Sequence, residues 1–188
     1  MREFDKVYRY YDIFMKVFQL YKVEEIKDAL KLQGNEKIVD IGGGTGHLAQ
    51  HLWDQCNKIY VVDESERMLS QIKTNEKILP ILGDGLNTNF EDRSMDVVIL
   101  ADVMHHIEKQ QKLIEEVHRI LKEKGRILIL DFDRKHLRTK LLRCFEYFLF
   151  GKLYFRTSKE AKDLLGGKFA IESCMAKKYY FIIVGEKR

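Results

Sequence analysis

The sequence predicts an α/β fold: a doubly wound, Rossmann-like, seven-stranded mixed sheet that ends in an antiparallel hairpin. Three observations carry this expectation. Short β-rich runs alternate with helical patterns through the middle of the chain, four glycines crowd into positions 42–46 directly behind the first run, and two β-type runs near the end are separated only by Lys177 and Lys178. Alternation of that kind calls for a parallel sheet covered on both faces. A two-residue gap leaves no room for a crossover helix, so the last two runs should pair antiparallel.

Taken in order, Phe4, Val7, Tyr8, Tyr11, Phe14, Met15 and Phe18 follow helical spacing. Val23, Ile26, Ala29 and Leu30 repeat that spacing before Gly34 and Asn35 interrupt it, so two helices should precede the first strand. KIVDI then reads as a strand, Leu48 to Trp53 as a helix, KIYVVD as a strand, and Met68, Leu69 and Ile72 as one helical face. ILPIL, MDVVILA and RILILDF are three further strands, with a helix striped by Leu113, Ile114, Val117, Ile120 and Leu121 ahead of Gly125. IESCMA and YYFIIVG form the hairpin. The whole reads as a single domain, 1–188, with a helical cap over 1–33, a core over 36–131, a variable helical lid over 132–168 and the hairpin over 169–188.

Composition narrows the function classes. With 188 residues, 45% hydrophobic and 33% charged, the chain can bury a proper core, and no apolar run approaches the roughly 20 residues a membrane span needs. The charged, aromatic start, MREFDKVYRYYDIF, lacks the apolar stretch of a secretory signal, so a cytoplasmic address is expected. Cys56, Cys144 and Cys174 are scattered without a C-x-x-C pair, which argues against a disulfide framework and a zinc cluster; no metal is expected. A net charge of +4 is too small an excess to identify a polyanionic partner.

The glycine loop focuses the question of ligand. Gly42, Gly43, Gly44 and Gly46 fall in the turn after the first strand, at the edge where ligands of wound sheets settle. Glycines there admit positive φ and close approach to backbone amides. Gly44-x-Gly46-x-x-Ala49, followed by Asp63, satisfies the dinucleotide fingerprint, so an NAD-type oxidoreductase is one reading. Asp40, two residues before the first glycine, argues the other way, because a carboxylate there would repel a pyrophosphate and attract a cation.

In this respect the chain resembles the class I S-adenosylmethionine-dependent methyltransferases, whose first motif is an acid in a strand followed by G-x-G-x-G, here Asp40, Gly42, Gly44 and Gly46. YVVDESERML resembles the second motif. The resemblance implies that Asp63, with Glu64 beside it, meets the ribose hydroxyls and that Met68 packs on adenine. ILGDG resembles the third, implying that Gly83, Asp84 and Gly85 read the adenine. VVILADVMHHI resembles the fourth, which would bring Ala101 and Asp102 to the methionyl end and the acceptor. The cofactor so implied is S-adenosyl-L-methionine, with S-adenosyl-L-homocysteine as product. It carries a sulfonium and an amine but no phosphate, so a rim holding Asp40, Asp63, Asp84 and Asp102 suits it. Each acid also has an ordinary reading as a cap or turn residue, and Met68 as a core residue.

The sulfonium already activates the methyl group, leaving the protein to align the reactants and exclude water. Where the acceptor must lose a proton, a general base adds roughly 10² to 10⁴ in rate, and His105 or His106 is the candidate; both could equally be packed or capping side chains. ADVMHH lacks the double proline of amine-directed nucleic-acid methyltransferases, and the chain lacks a Pro-Cys nucleophile. It resembles instead the small-molecule branch, which includes quinone and sterol methyltransferases, so a small, apolar or aromatic acceptor is expected and nucleic acid is not.

FDKVYRYYDIF resembles the cap of quinone-type enzymes, in which a Tyr-Asp pair, here Tyr11 and Asp12, closes over the cofactor; a helix burying its aromatic stripe accounts for the same residues. After the fifth strand, Leu137, Leu141, Leu142, Phe145, Phe148 and Leu149 share a helical face, with Arg134, Lys135, Arg138, Lys140 and Arg143 mostly on another. This stretch reads as a lid over the acceptor, and its pattern would also serve peripheral contact with an anionic membrane. The competing functions are an RNA methyltransferase, an NAD-type oxidoreductase and a non-catalytic relative that binds S-adenosylmethionine. Oligomeric state is not legible.

Overall fold

The computed structural model describes residues 22–140, 142, 147 and 151–188. The first predicted helix, with Tyr11 and Asp12, lies outside them. Helix α1 (Val23–Leu30) buries Ile26 and Leu30 and ends at Lys31, which takes the left-handed conformation at φ 47°. The stop therefore comes three residues before the expected Gly34.

Strand β1 (Lys37–Ile41) leads into the glycine loop, and α2 (Ala49–Leu52) continues as a 3₁₀ turn, Trp53–Gln55. Then follow β2 (Lys58–Asp63), α3 (Glu66–Leu69), β3 (Ile78–Leu82) and β4 (Met95–Ala101). Helix α3 is only four residues long, with Ser65 Oγ capping Met68 N; Ile72, expected on the same helix, lies past its end yet is still buried. A 3₁₀ turn at Met104–His106 precedes α4 (Gln110–Ile120), then β5 (Leu121–Phe132), α5 (Ser158–Leu165), β6 (Phe169–Ala176) and β7 (Tyr180–Lys187). Helix α5 opens with a reciprocal capping box: Glu160 N donates to Thr157 Oγ1, and Thr157 N donates to the Glu160 carboxylate.

The seven strands order as β3-β2-β1-β4-β5-β7-β6, parallel from β3 to β5, with β7 antiparallel to both β5 and β6. The mixed sheet and its C-terminal hairpin are those the sequence predicts. A further boundary differs: α4 stops at Ile120 rather than near Gly125, because Leu121 already pairs with Met95. Pairing resumes at Val97–Arg126, so residues 122–125 loop out, with Lys124 at φ 61°. A Cβ on Gly125 would lie 2.8 Å from the Lys122 carbonyl oxygen, which is why a glycine stands in this turn.

Period-two alternation divides the strand side chains between two cores. Ile38 joins Leu30, Ile59, Ile99, Leu128 and Ile182 on one face; Val39 and Ile41 join Leu100, Leu113, Val117, Ile129 and Ile183 on the other. Each such aliphatic side chain, when fully buried, contributes roughly 1.5–3 kcal/mol. Asp40 shares the face of Ile38 and is 1% exposed. In the lid stretch, Leu137 is 68% exposed, whereas Thr139 is buried with its hydroxyl donating to Tyr179 O and Leu142 packs on the first core. The buried face there is thus rotated from the one Leu137 would mark. Among the described residues no helix is long and apolar enough to cross a membrane.

Candidate functional site

Strand order reverses between β1 and β4, and the loops leaving β1 to β4 border one cavity of about 420 Å³. Gly42, Gly44, Asp63, Glu64, Met68, Gly83, Asp84, Gly85, Asp102 and His106 all line it. Beside it, a recess of about 60 Å³ is bordered by Asp40, Gly43, Thr45, His47 and Ala101 and shares Gly42, Gly44 and Asp102 with the cavity. Gly46 lies beneath the loop, where a Cβ would come within 2.9 Å of Ile72.

The glycine loop is tied down from within. Gly42 N donates to Val62 O at 2.7 Å, and Gly44 N donates to Asp63 Oδ2 at 3.0 Å. Asp63 Oδ1 accepts from Ser65 N at 2.8 Å, so this carboxylate orders both the glycine loop and the start of α3. Gly43 is needed for space: a Cβ there would stand 2.6 Å from Asp40 Oδ2 and 2.7 Å from Val61 Cγ1. Gly44 is needed for conformation, at φ 54°, and a Cβ on it would meet nothing within 4 Å.

Asp40 is the electrostatic centre of this arrangement. Burial, and secondarily the nearby Asp63, push its carboxyl up to about 7. Its Oδ2 has no hydrogen-bond partner among the described residues. An isolated buried carboxylate is costly unless a cation or donor joins it. Asp84, by contrast, is exposed, with Oδ1 accepting from Leu86 N at 2.7 Å, and Glu64 is exposed at the rim. Met68 is 1% exposed and forms cavity wall and core at once.

The two histidines part company. His106 lines the cavity, and burial together with the adjacent His105 holds its imidazole well below the usual range, so it is uncharged near neutral pH. His105 is fully buried and does not border the cavity. Its Nδ1 lies 2.7 Å from Asp131 Oδ1, its backbone N donates to Asp131 Oδ2 at 3.1 Å, and its ring stacks on Phe155 at 4.2 Å. Potential ligand atoms of Asp102, His105 and Asp131 lie within 4.8 Å of one another, with Nδ1 already engaged by Asp131.

Asp131 and Phe155 were not among the sequence candidates. Asp131 ends an apolar strand much as Asp40 does in KIVDI, and that likeness was a usable signal. Nothing in the spacing marks Phe155, which reaches His105 only through tertiary packing. The walls Ile41, Val62, Leu86, Val103 and Ile107 read in sequence only as core.

Residues 39–129 match the family model described as a methyltransferase domain. A demethylmenaquinone methyltransferase of Thermotoga maritima is 30% identical over 141 residues, covering 70% of this chain and 60% of that protein. A tRNA N(3)-methylcytidine methyltransferase of Schizosaccharomyces pombe is 28% identical over 171 residues, covering 78% of this chain and 56% of its own. The chain thus spans between half and two thirds of the length of these relatives. The methyltransferase solved in complex with the Haloferax volcanii Trm112 methyltransferase activator superposes with a TM-score of 0.88, at 14% identity, over 100% of this chain and 98% of that one; at such identity the likeness is one of fold. Residues 39–129 are thus a methyltransferase domain, and sheet order, the loops around the cavity and these relatives support a class I S-adenosylmethionine-dependent methyltransferase of the type 11 kind.

Proposed function

We propose that the protein transfers a methyl group from S-adenosylmethionine to a small, apolar aromatic acceptor of the quinol type. The observation that carries this reading is the buried Asp40 carboxylate, with an oxygen lacking a partner among the described residues, beside a glycine loop whose Gly44 position is open. These residues fit a cationic, phosphate-free nucleoside. Asp40 faces the recess that would take the charged methionyl end. Asp63, which fixes the glycine loop and the start of α3, stands at the side of the cavity where the ribose hydroxyls would lie. Met68, Asp84 and Gly85 border the side where adenine would lie. A dinucleotide would bring its phosphates to the glycine loop beside Asp40, and repulsion disfavours that alternative.

When bound, the cofactor supplies an electrophilic methyl group; the chain's own residues bind, align and shield. His106, uncharged and at the cavity wall, is placed to take a proton from a phenolic hydroxyl or an acidified ring carbon, while the burial that keeps it neutral also weakens it as a base. Ile41, Val62, Val103 and Ile107 give that cavity apolar walls suited to an aromatic ring. Likeness to the demethylmenaquinone methyltransferase supports a quinol over other aromatics.

The test incubates the protein with methyl-labelled S-adenosylmethionine and, separately, reduced demethylmenaquinone or bulk tRNA. Label in the extracted quinol is the expected result. Label in tRNA alone would replace the acceptor, and label in neither, despite bound cofactor, would reduce the reading to a binding protein.

A further inference from the structure

The loop that follows β4 needs something to hold it. Asp102 enters it at φ 57°, a left-handed conformation that favours glycine, and three residues later the chain buries an imidazole completely. Asp131, at the end of β5, accepts from both the backbone N and the ring Nδ1 of His105, and its Oδ1 also accepts from Phe132 N at 2.7 Å. A carboxylate facing Nδ1 keeps the proton on that nitrogen and fixes the ring's orientation.

The other side of the same histidine is gripped by residues from the acceptor-side segment. Tyr154 N donates to His105 O at 2.7 Å, and the Phe155 ring lies within 8° of parallel to the imidazole. Gln110 Nε2 bridges Met104 O at 2.8 Å and Tyr154 O at 2.9 Å, while Arg156 Nε donates to Gln110 Oε1. The loop carrying Asp102 and His106 and the strap 153–156 therefore form one bonded unit, centred on His105. The His106 ring sits 4.2 Å from that centre.

We propose that Asp131, acting through His105, is a positioning residue that sets Asp102 and His106 against the cavity and links them to the strap over residues 153–156. A hydrophobic pair would pack the same volume without desolvating a carboxylate, so the polar pair is informative about orientation. The inference rests on the methyl-transfer reading for its kinetic arm only. Displacing the strap would shift His105, and with it the neighbouring His106 ring.

The experiment uses the full chain and the variants Asp131→Asn and Phe155→Leu. An amide offers one acceptor oxygen where Asp131 uses two, so it sets an N–H against an N–H at the other position. Nitrogen-detected NMR of the ligand-free protein is expected to show His105 protonated on Nδ1, and a redistributed tautomer in Asp131→Asn. S-adenosylhomocysteine is expected to bind Asp131→Asn within roughly threefold of the parent while turnover falls by about 10²-fold, the signature of misplacement rather than lost binding. Its effect on the His106 ring signals should shrink in parallel. Phe155→Leu should raise the quinol KM with cofactor affinity unchanged.

A His105 proton on Nε2 in the parent, or an Asp131→Asn protein with parental turnover and His106 response, would overturn the proposal. So would cofactor affinity that requires added Mg²⁺ or Zn²⁺, because Asp102, His105 and Asp131 would then be acting as ligands. Should Asp131→Asn fail to fold, the parental tautomer and Phe155→Leu decide. A parent that binds no S-adenosylhomocysteine would refute methyl transfer, while the ligand-free tautomer would still judge the positioning role.

Discussion

Asp40 sits at 1% exposure between the first core and the glycine loop, and its carboxyl is raised to about 7 from 3.8. Between those two values the folded chain holds more protons than the unfolded one, so stability falls as pH rises from about 4 to about 7 and stays low above it. The loss is on the order of a few kcal/mol. Asp40→Asn removes that ionisation. We expect it to raise the melting temperature of the ligand-free protein at pH 8 by roughly 5 °C, with the gain shrinking as pH falls and vanishing below about pH 4, as read by scanning calorimetry. The same change should weaken S-adenosylmethionine binding by about 10- to 100-fold, the scale of a lost charge-assisted hydrogen bond. A site residue that stabilises when neutralised and binds when charged is a signature of function. The type and place of Asp40 were legible in KIVDI. Its titration was not, because burial depends on which strands flank it.

Among the elements, the glycine loop invites a paired test in which two adjacent glycines behave differently. Gly43→Ala should destabilise the fold by about 1–3 kcal/mol in denaturant unfolding, since its Cβ would press on both Asp40 and Val61. Gly44→Ala meets no neighbour, so its cost should be limited to about 1–2 kcal/mol of left-handed strain, with cofactor affinity the larger casualty. The loop after β3 has its own anchor. Glu116 accepts from Thr88 N and Oγ1, and Arg119 holds Glu116, Asp92, Phe90 O and Thr88 O. Arg119→Ala strips these bonds, leaves Glu116 at 7% exposure without its cation, and should cost roughly 2–3 kcal/mol in urea unfolding. Strands were the easiest elements to read, because their apolar runs have one meaning in a sheet covered on both faces. Helix ends were harder: α1 stops at Lys31, α3 spans a single turn, and α4 stops at Ile120 where β-pairing with Met95 prevails over its helical stripe.

At the scale of the whole molecule, the acids Asp40, Asp63, Asp84 and Asp102 come from four strand ends that the β3-β2-β1-β4 order gathers around the cavity and its adjoining recess. Their gathering was foreseeable from motif order, whereas the division of labour was not: Asp63 orders two loops, Asp84 stays exposed and Asp40 alone is deeply buried. His105 and His106, adjacent in sequence and equivalent there, point into different environments because one meets Asp131 and Phe155 across the fold. The most direct measurement of the central claim is parallel calorimetric titration of S-adenosylmethionine, S-adenosylhomocysteine and NAD into the parent and Asp40→Asn proteins at pH 6 and pH 8. The account predicts that the two S-adenosyl compounds bind and NAD does not, with S-adenosylmethionine binding tighter at pH 8 than at pH 6 in the parent and losing that dependence on Asp40 in the variant. Binding of NAD in place of the S-adenosyl compounds, or an S-adenosylmethionine affinity indifferent to Asp40, would contradict it.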